Sequence, residues 1–183
     1  MYNKMITVYT DGGCYNNGDK KGLGSYAFLS PVFRDKSNSV VVIGEKLNDT
    51  TNNRAEMLAI INAIKYYNGD TEIITDSGYV VKGWTKPSYL ETWQKNGWIT
   101  STKKPVANKD LWLELVKLRW HKQFVMKLMR GHNKDKDIEK AFWNDICDRA
   151  CTFLMNDNNV EYHKTYELEY LFDTREFKII KEV

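Results

Sequence analysis

Several things are scarce in this chain of 183 residues, and each scarcity excludes something. No apolar run approaches the roughly 18 residues that a membrane span needs, so no membrane partner is expected. The opening stretch MYNKMITVYTDGG runs straight into a strand-like pattern and lacks a signal-peptide layout. Only three cysteines are present. An odd number, with Cys147 and Cys151 one helical turn apart, argues against a disulfide framework and for a reducing cytoplasm. No cluster of Cys and His occurs at ligand spacing, which argues against zinc. Low-complexity tracts and internal repeats are missing as well. What remains is 42% hydrophobic and 28% charged, ordinary for a globular domain with a real core and an appendage. It reads as a monomer.

A net charge of +3 says little, but its distribution says more. From Lys82 to Lys127 there are ten Lys/Arg against three acids, whereas residues 156–183 hold seven acids and four bases. A basic central segment in an otherwise near-neutral chain suggests a local surface for a polyanion.

The hydrophobic pattern describes an α/β chain. MITVYT alternates and reads as a first strand ending at Asp11. SYAFLSPVF and SVVVIGEKL read as two more, and the three could form an antiparallel meander. TTNNRAEMLAIINAIKYY has helical spacing, with Thr51 or Asn52 as its cap. EIIT is a short buried strand with Asp76 at its C-terminal end, and the β-α-β order favours a parallel partner. DLWLELVKLRW is an amphipathic helix that Asp110 could cap, FVMKLMRGH a strand, and the charged stretch from Asn133 leads into a last helix. VEYHKTYELEYLFDTREFKII reads as two strands around the turn FDTR. They form either a hairpin added to the main sheet or an interaction edge.

Four carboxylates stand out. Asp11 precedes Gly12 and Gly13, which would let backbone approach a ligand closely. Glu56 falls on the inner side or boundary of its helix, where carboxylates are rare unless paired. Asp76 ends an apolar strand and could otherwise cap the next helix. On the last helix either Asp145 or Asp148 could face the same site. Acids brought together repel one another, and divalent cations relieve that most simply. Two Mg²⁺ ions can neutralise a phosphodiester and orient water against it, and Mg²⁺ favours hard oxygen ligands. A metal-dependent enzyme acting on phosphates is the expectation.

The frames YTDGGCYNNG, TTNNRAEMLAIINAI, ITDSGYVVKGW, WQKNGWITSTKKPVANKDLW and RGHN followed by WNDICDRA occur in the order found in the type 1 ribonuclease H family, which residues 5–153 resemble. The resemblance implies a five-stranded mixed sheet flanked by helices, a catalytic domain over 1–155 with a basic protrusion at about 84–108, and an additional β-rich C-terminal extension over 156–183. It implies an endonuclease that cuts the RNA strand of RNA–DNA hybrids and leaves 5′-phosphate and 3′-hydroxyl ends. Two Mg²⁺ ions, for which Mn²⁺ can substitute, would be held by Asp11, Glu56, Asp76 and Asp148. Asp148 is favoured over Asp145 because Asn144–Asp148 fits the family's pattern. His132 in RGHN matches a histidine that aids proton transfer or product departure.

The same resemblance assigns substrate contacts. Gly12, Gly13, Cys14, Asn17, Asn52 and Glu56 would meet the minor groove and RNA sugars, where the 2′-hydroxyl distinguishes RNA from DNA. Thr51 and Asn53 would meet the DNA strand. Lys86, Lys95, Lys103 and Lys104 would meet DNA phosphates, with Trp93 and Trp98 supporting the protrusion or packing on sugars. The chain departs from the pattern at Gly78, where many relatives carry a polar side chain. It departs again in a longer protrusion near Lys86–Ser88 and in a longer gap from His132 to Asp148. A hybrid-binding module without catalysis is disfavoured because all four carboxylates are present. A junction resolvase or integrase core is disfavoured by TTNNRAE and KKPVANKDLW.

Overall fold

The computed structural model describes residues 5–15, 22–34, 38–85, 87–129 and 138–183. In chain order the elements are β1 (Ile6–Cys14), β2 (Gly22–Leu29), β3 (Phe33–Arg34), β4 (Ser39–Thr50), α1 (Asn52–Tyr66), β5 (Thr71–Thr75), α2 (Gly78–Thr85), α3 (Pro87–Lys95), α4 (Lys109–Arg119), β6 (Phe124–Leu128), α5 (Ile138–Asn156), β7 (Thr165–Leu171) and β8 (Glu176–Glu182). The strands make one eight-stranded sheet in the order β6-β5-β1-β2-β4-β7-β8, with β3 paired to β4. The five from the β6 edge to β4 correspond to the five-stranded mixed sheet expected from the sequence.

Successive side chains on a strand point to opposite faces, and this chain uses both. Val8, Phe28, Ile43 and Ile73 pack with α1, Trp112 and Leu115 on one side. Their neighbours Tyr9, Leu29, Val42 and Ile74 pack with α5 on the other. A sheet buried on both faces explains the nearly continuous apolar runs of β4 and β5.

β1 pairs antiparallel with β2 and parallel with β5, and β5 pairs parallel with β6. The direction of pairing therefore changes at β1. Crevices at the carboxyl ends of strands beside such a switch are where open α/β sheets place their sites. Thr10 lies opposite Thr75, so Asp11 and Asp76 occupy the next positions on adjoining strands.

Several local expectations change. β1 does not stop at Asp11 but continues to Cys14, because its partner β2 offers register positions as far as Gly24. α4 is not capped by Asp110: Asn108 holds the cap position in a left-handed conformation (φ 56°). Asp110 instead pairs in two hydrogen bonds with Arg54 of α1, at 2.7 and 2.9 Å. Of the two caps proposed for α1, Thr51 is the one used, its hydroxyl accepting from Arg54 N at 3.4 Å. At the other end of α1, Lys122 Nζ donates to the carbonyls of Ile64, Lys65 and Tyr67 at 2.8–3.1 Å. This lysine, counted above with the basic surface, is a helix C-cap.

The two C-terminal strands are resolved as a hairpin added to the main sheet. β7 pairs antiparallel along β4, and β8 pairs with β7. Tyr166, Leu168 and Tyr170 are buried with the α5 side of the core. All three cysteines are free thiols. Among the described residues no helix is long and apolar enough to cross a membrane.

Candidate active site

The first carboxylate, Asp11, projects from β1 where that strand switches partner. Its Oδ1 accepts the N–H of Gly12 at 2.8 Å. Glycine at 12 serves a purpose beyond the ligand approach read from the sequence. A Cβ there would lie 2.3 Å from the carbonyl carbon of Ala55 and 2.4 Å from Glu56 N. It is the backbone of α1 that approaches, and this contact sets Glu56 beside Asp11. Gly13 is open, with only Met155 Cε at 3.9 Å.

Glu56 is held by both oxygens. Asn52 Nδ2 donates to Oε1 at 2.8 Å, and Ser77 Oγ donates to Oε2. Ser77 is buried and also accepts from Val80 N at 3.3 Å. It therefore caps α2, the role the sequence left open for Asp76. Asp148 and Asp145 both come from α5 and both line the cavity described next.

Asp11, Glu56, Asp76 and Asp148 line one cavity of about 400 Å³, together with Gly12, Gly13, Cys14 and Asn52. Electrostatics reports the same convergence. Burial pushes the Asp11 carboxyl well above the usual aspartate range, and the charges of Asp76, Asp148 and Glu56 push it further, against the stabilising Gly12 N–H. Glu56 is raised by burial and by Asp76, with the Ser77 hydrogen bond opposing. Burial and like charges both disfavour the ionised form.

Such a site suits a hard cation. The donors are carboxylate oxygens whose charge is poorly tolerated without one. Asn144, also lining the cavity, is buried and its Oδ1 has no hydrogen-bond partner. Among the described residues no three acids already stand close enough to grip a single ion. Cations bound here would draw the carboxylates inward, and Mg²⁺, which keeps several of its waters, would need few protein ligands.

The remaining sequence-predicted residues divide by location. Thr51 and Asn53 sit at the start of α1, beside Asn52 but outside the cavity lining. The protrusion is a separate surface: Lys95, Lys103 and Lys104 are exposed and form no ion pair with other described residues. Lys127, by contrast, pairs with Glu72 at 2.5 Å. Trp98 is only 8% exposed and Trp93 packs edge-on against Trp112 at 5.5 Å, so both support the protrusion from inside. Asn17, Lys86 and His132 lie outside the described residues. Sequence reasoning missed Ser77 as the holder of Glu56, and Tyr15 and Asn144 as lining. The motif D-S-G at the end of a strand was the available signal for Ser77, since a serine there can reach both a helix start and a neighbour.

Comparison with known proteins follows the geometry. The RNase H family matches this chain over residues 3–153. The chain is 37% identical over 140 residues to a protein named Ribonuclease H from Zymomonas mobilis, covering 75% of this chain and 84% of that one. It is 35% identical over 153 residues to one of the same name from Syntrophomonas wolfei, covering 80% and 92%. Among solved structures it resembles the PFV RNase H domain (TM-score 0.63, 22% identity, 81% of this chain and 92% of that one). It also resembles part of the foamy viral protease-reverse transcriptase solved with an RNA/DNA hybrid (TM-score 0.58, 21% identity, 81% and 19%). At these identities the structural likeness speaks for the fold.

Proposed function

Because the chain belongs to the RNase H family and is a ribonuclease H enzyme, we propose that it hydrolyses the RNA strand of RNA–DNA hybrids at this cavity with the aid of two divalent cations. The products would be 5′-phosphate and 3′-hydroxyl ends. The observation that carries this reading is the convergence of Asp11, Glu56, Asp76 and Asp148, with Asp11 so desolvated and so crowded by like charge that it calls for a cation.

When bound, the ions supply charge neutralisation of the phosphodiester and activation of water. The protein's own contribution is placement. The Gly12 N–H fixes Asp11, and Asn52 and Ser77 fix the plane of Glu56. Once drawn in around the ions, side chains held in this way would reorganise little as charge develops on the phosphate. Asn52 and the Gly12–Gly13–Cys14 backbone line the cavity beside the carboxylates, and the 2′-hydroxyl of an RNA sugar, both donor and acceptor, is the group they would read. Lys95, Lys103 and Lys104 would hold the DNA strand through its phosphates, without sequence preference. His132 would pass a proton to the departing 3′ oxygen or assist product exit.

The test is cleavage of a labelled RNA–DNA hybrid in Mg²⁺, beside matched RNA–RNA and DNA–DNA duplexes and the Asp76→Asn protein. The expected result is cutting of the hybrid's RNA alone, lost in Asp76→Asn while hybrid binding persists or tightens as a repulsive charge is removed. Near-normal turnover by Asp76→Asn would refute the site. Binding without cleavage in Mg²⁺ or Mn²⁺ would refute the activity.

A further inference from the structure

The family match ends at residue 153, and the hairpin β7–β8 lies beyond it. That hairpin touches the helix that carries Asp148. Near the start of α5, Phe142 and Trp143 pack on Phe172 of the hairpin turn, with ring centres 6.1 and 6.2 Å apart. In the middle, Arg149 Nη1 donates to the Tyr170 hydroxyl at 2.7 Å, and Nη2 donates to the carbonyl of Arg175 at 2.5 Å. Toward the end, Phe153 packs on Phe177 at 5.6 Å.

Phe142, Arg149 and Phe153 are spaced seven and four residues apart, so they form one stripe along α5. Asp145 and Asp148 lie on the flank next to it. The face turned to the sheet buries Trp143, Ile146 and Leu154 together with the small side chains Cys147, Ala150 and Cys151. The small ones lie on the turns that flank Asp148 and Arg149, so in the middle of the helix the bonds of Arg149 to the hairpin add a hold on its rotation. A helix with side chains has a radius of about 5–6 Å, so rotation by roughly 10° would carry a carboxyl about 1 Å. A 1 Å misplacement can cost about 10²-fold in rate.

We propose that the C-terminal hairpin is a clamp on the catalytic helix, with Arg149, held by Tyr170 and the Arg175 carbonyl, as the positioning residue that keeps Asp148 aimed into the cavity. The hairpin thus belongs to the catalytic apparatus rather than being a bystander on the sheet edge. This rests on the hydrolytic reading for its kinetic consequence but not for its structural one.

Tyr170→Phe in the full chain removes the hydroxyl and keeps the buried ring. Arg149→Gln removes that bond from the helix side and the bond to the Arg175 carbonyl with it. Each is expected to lower kcat by about tenfold with the hybrid KM within about twofold of the parent, since the loss is in alignment. Calorimetric Mn²⁺ binding to the protein alone should weaken severalfold. Amide exchange should quicken in the middle turns of α5 and nowhere else. The double variant should be no worse than Arg149→Gln alone, because that change already cuts the bond that Tyr170→Phe removes. Unchanged kcat and Mn²⁺ binding would overturn the clamp, as would a general rise in exchange with no local excess in α5. If the parent cuts no hybrid, the proposed function fails, while Mn²⁺ binding and α5 exchange still decide the clamp.

Discussion

Replacing Gly12 by alanine is the sharpest test of how the fold sets the chemistry. The added Cβ would fall 2.3 Å from the Ala55 carbonyl carbon, 2.4 Å from Glu56 N and 2.6 Å from the Ala55 oxygen. Ordinary contact begins near 3.4 Å, so α1 would have to retreat by roughly 1 Å. These are helix backbone atoms, and no rotamer change can relieve them. Overpacking of this kind costs about 1–3 kcal/mol. Loss of chain entropy in the unfolded state returns about 0.4–1 kcal/mol, so the sum remains destabilising. At about 2–4 °C per kcal/mol for a protein of this size, a fall in Tm of several degrees is expected. The helix carries Glu56 and Asn52 with it, so kcat should drop about 10²-fold. Gly13→Ala is the control: its Cβ meets only Met155 Cε at 3.9 Å, and Tm should hold within about 2 °C. Thermal unfolding and hybrid cleavage on both variants decide the matter. A Gly12→Ala protein with the parent's Tm would refute the close approach. One with a lowered Tm and full kcat would refute the link from that approach to Glu56.

Three further outcomes are expected. In the metal-free protein Asp11 and Glu56 hold their protons more tightly folded than unfolded. Their contribution to stability is therefore full below the unfolded carboxylate range and is lost as pH rises through the raised folded values. Asp11→Asn should accordingly raise Tm at neutral pH without metal and abolish the gain in Tm that Mg²⁺ gives the parent; a lower Tm would contradict the crowding. Lys122→Met should cost about 1–3 kcal/mol in urea unfolding, as three helix-end carbonyls lose a charged donor, and a neutral result would deny it the capping role. Replacing Lys95, Lys103 and Lys104 together by alanine should weaken hybrid binding and flatten the plot of log K against log salt by about 0.9 for each phosphate contact removed; an unaltered slope would move the phosphate surface elsewhere.

Much of the site could be read without coordinates. Asp11, Glu56 and Asp76 each stand in a frame whose local physics is visible: an apolar strand running into glycines, the inner side of an amphipathic helix, and the end of a buried strand. Periodicity likewise placed α1, β5 and the main strands, because burial on one or both faces writes itself into hydrophobic spacing. The cap of α4 was not legible, since Asp110 is a sound capping residue by type and only Arg54, far away in sequence, draws it into an ion pair. Nor was the reason for Gly12, because the atoms it must clear belong to a helix more than forty residues further on.

Residue types and their spacing determined the fold class, the acidic character of the site and the basic protrusion, all of which depend on local pattern. Tertiary structure alone decided that Ser77 holds Glu56, that Lys122 closes a helix rather than facing a polyanion, and that the C-terminal strands join the main sheet against α5. Each of these turns on contacts between segments distant in sequence. Such contacts depend on which faces the packed sheet brings together, and a sequence pattern read one element at a time carries no record of that.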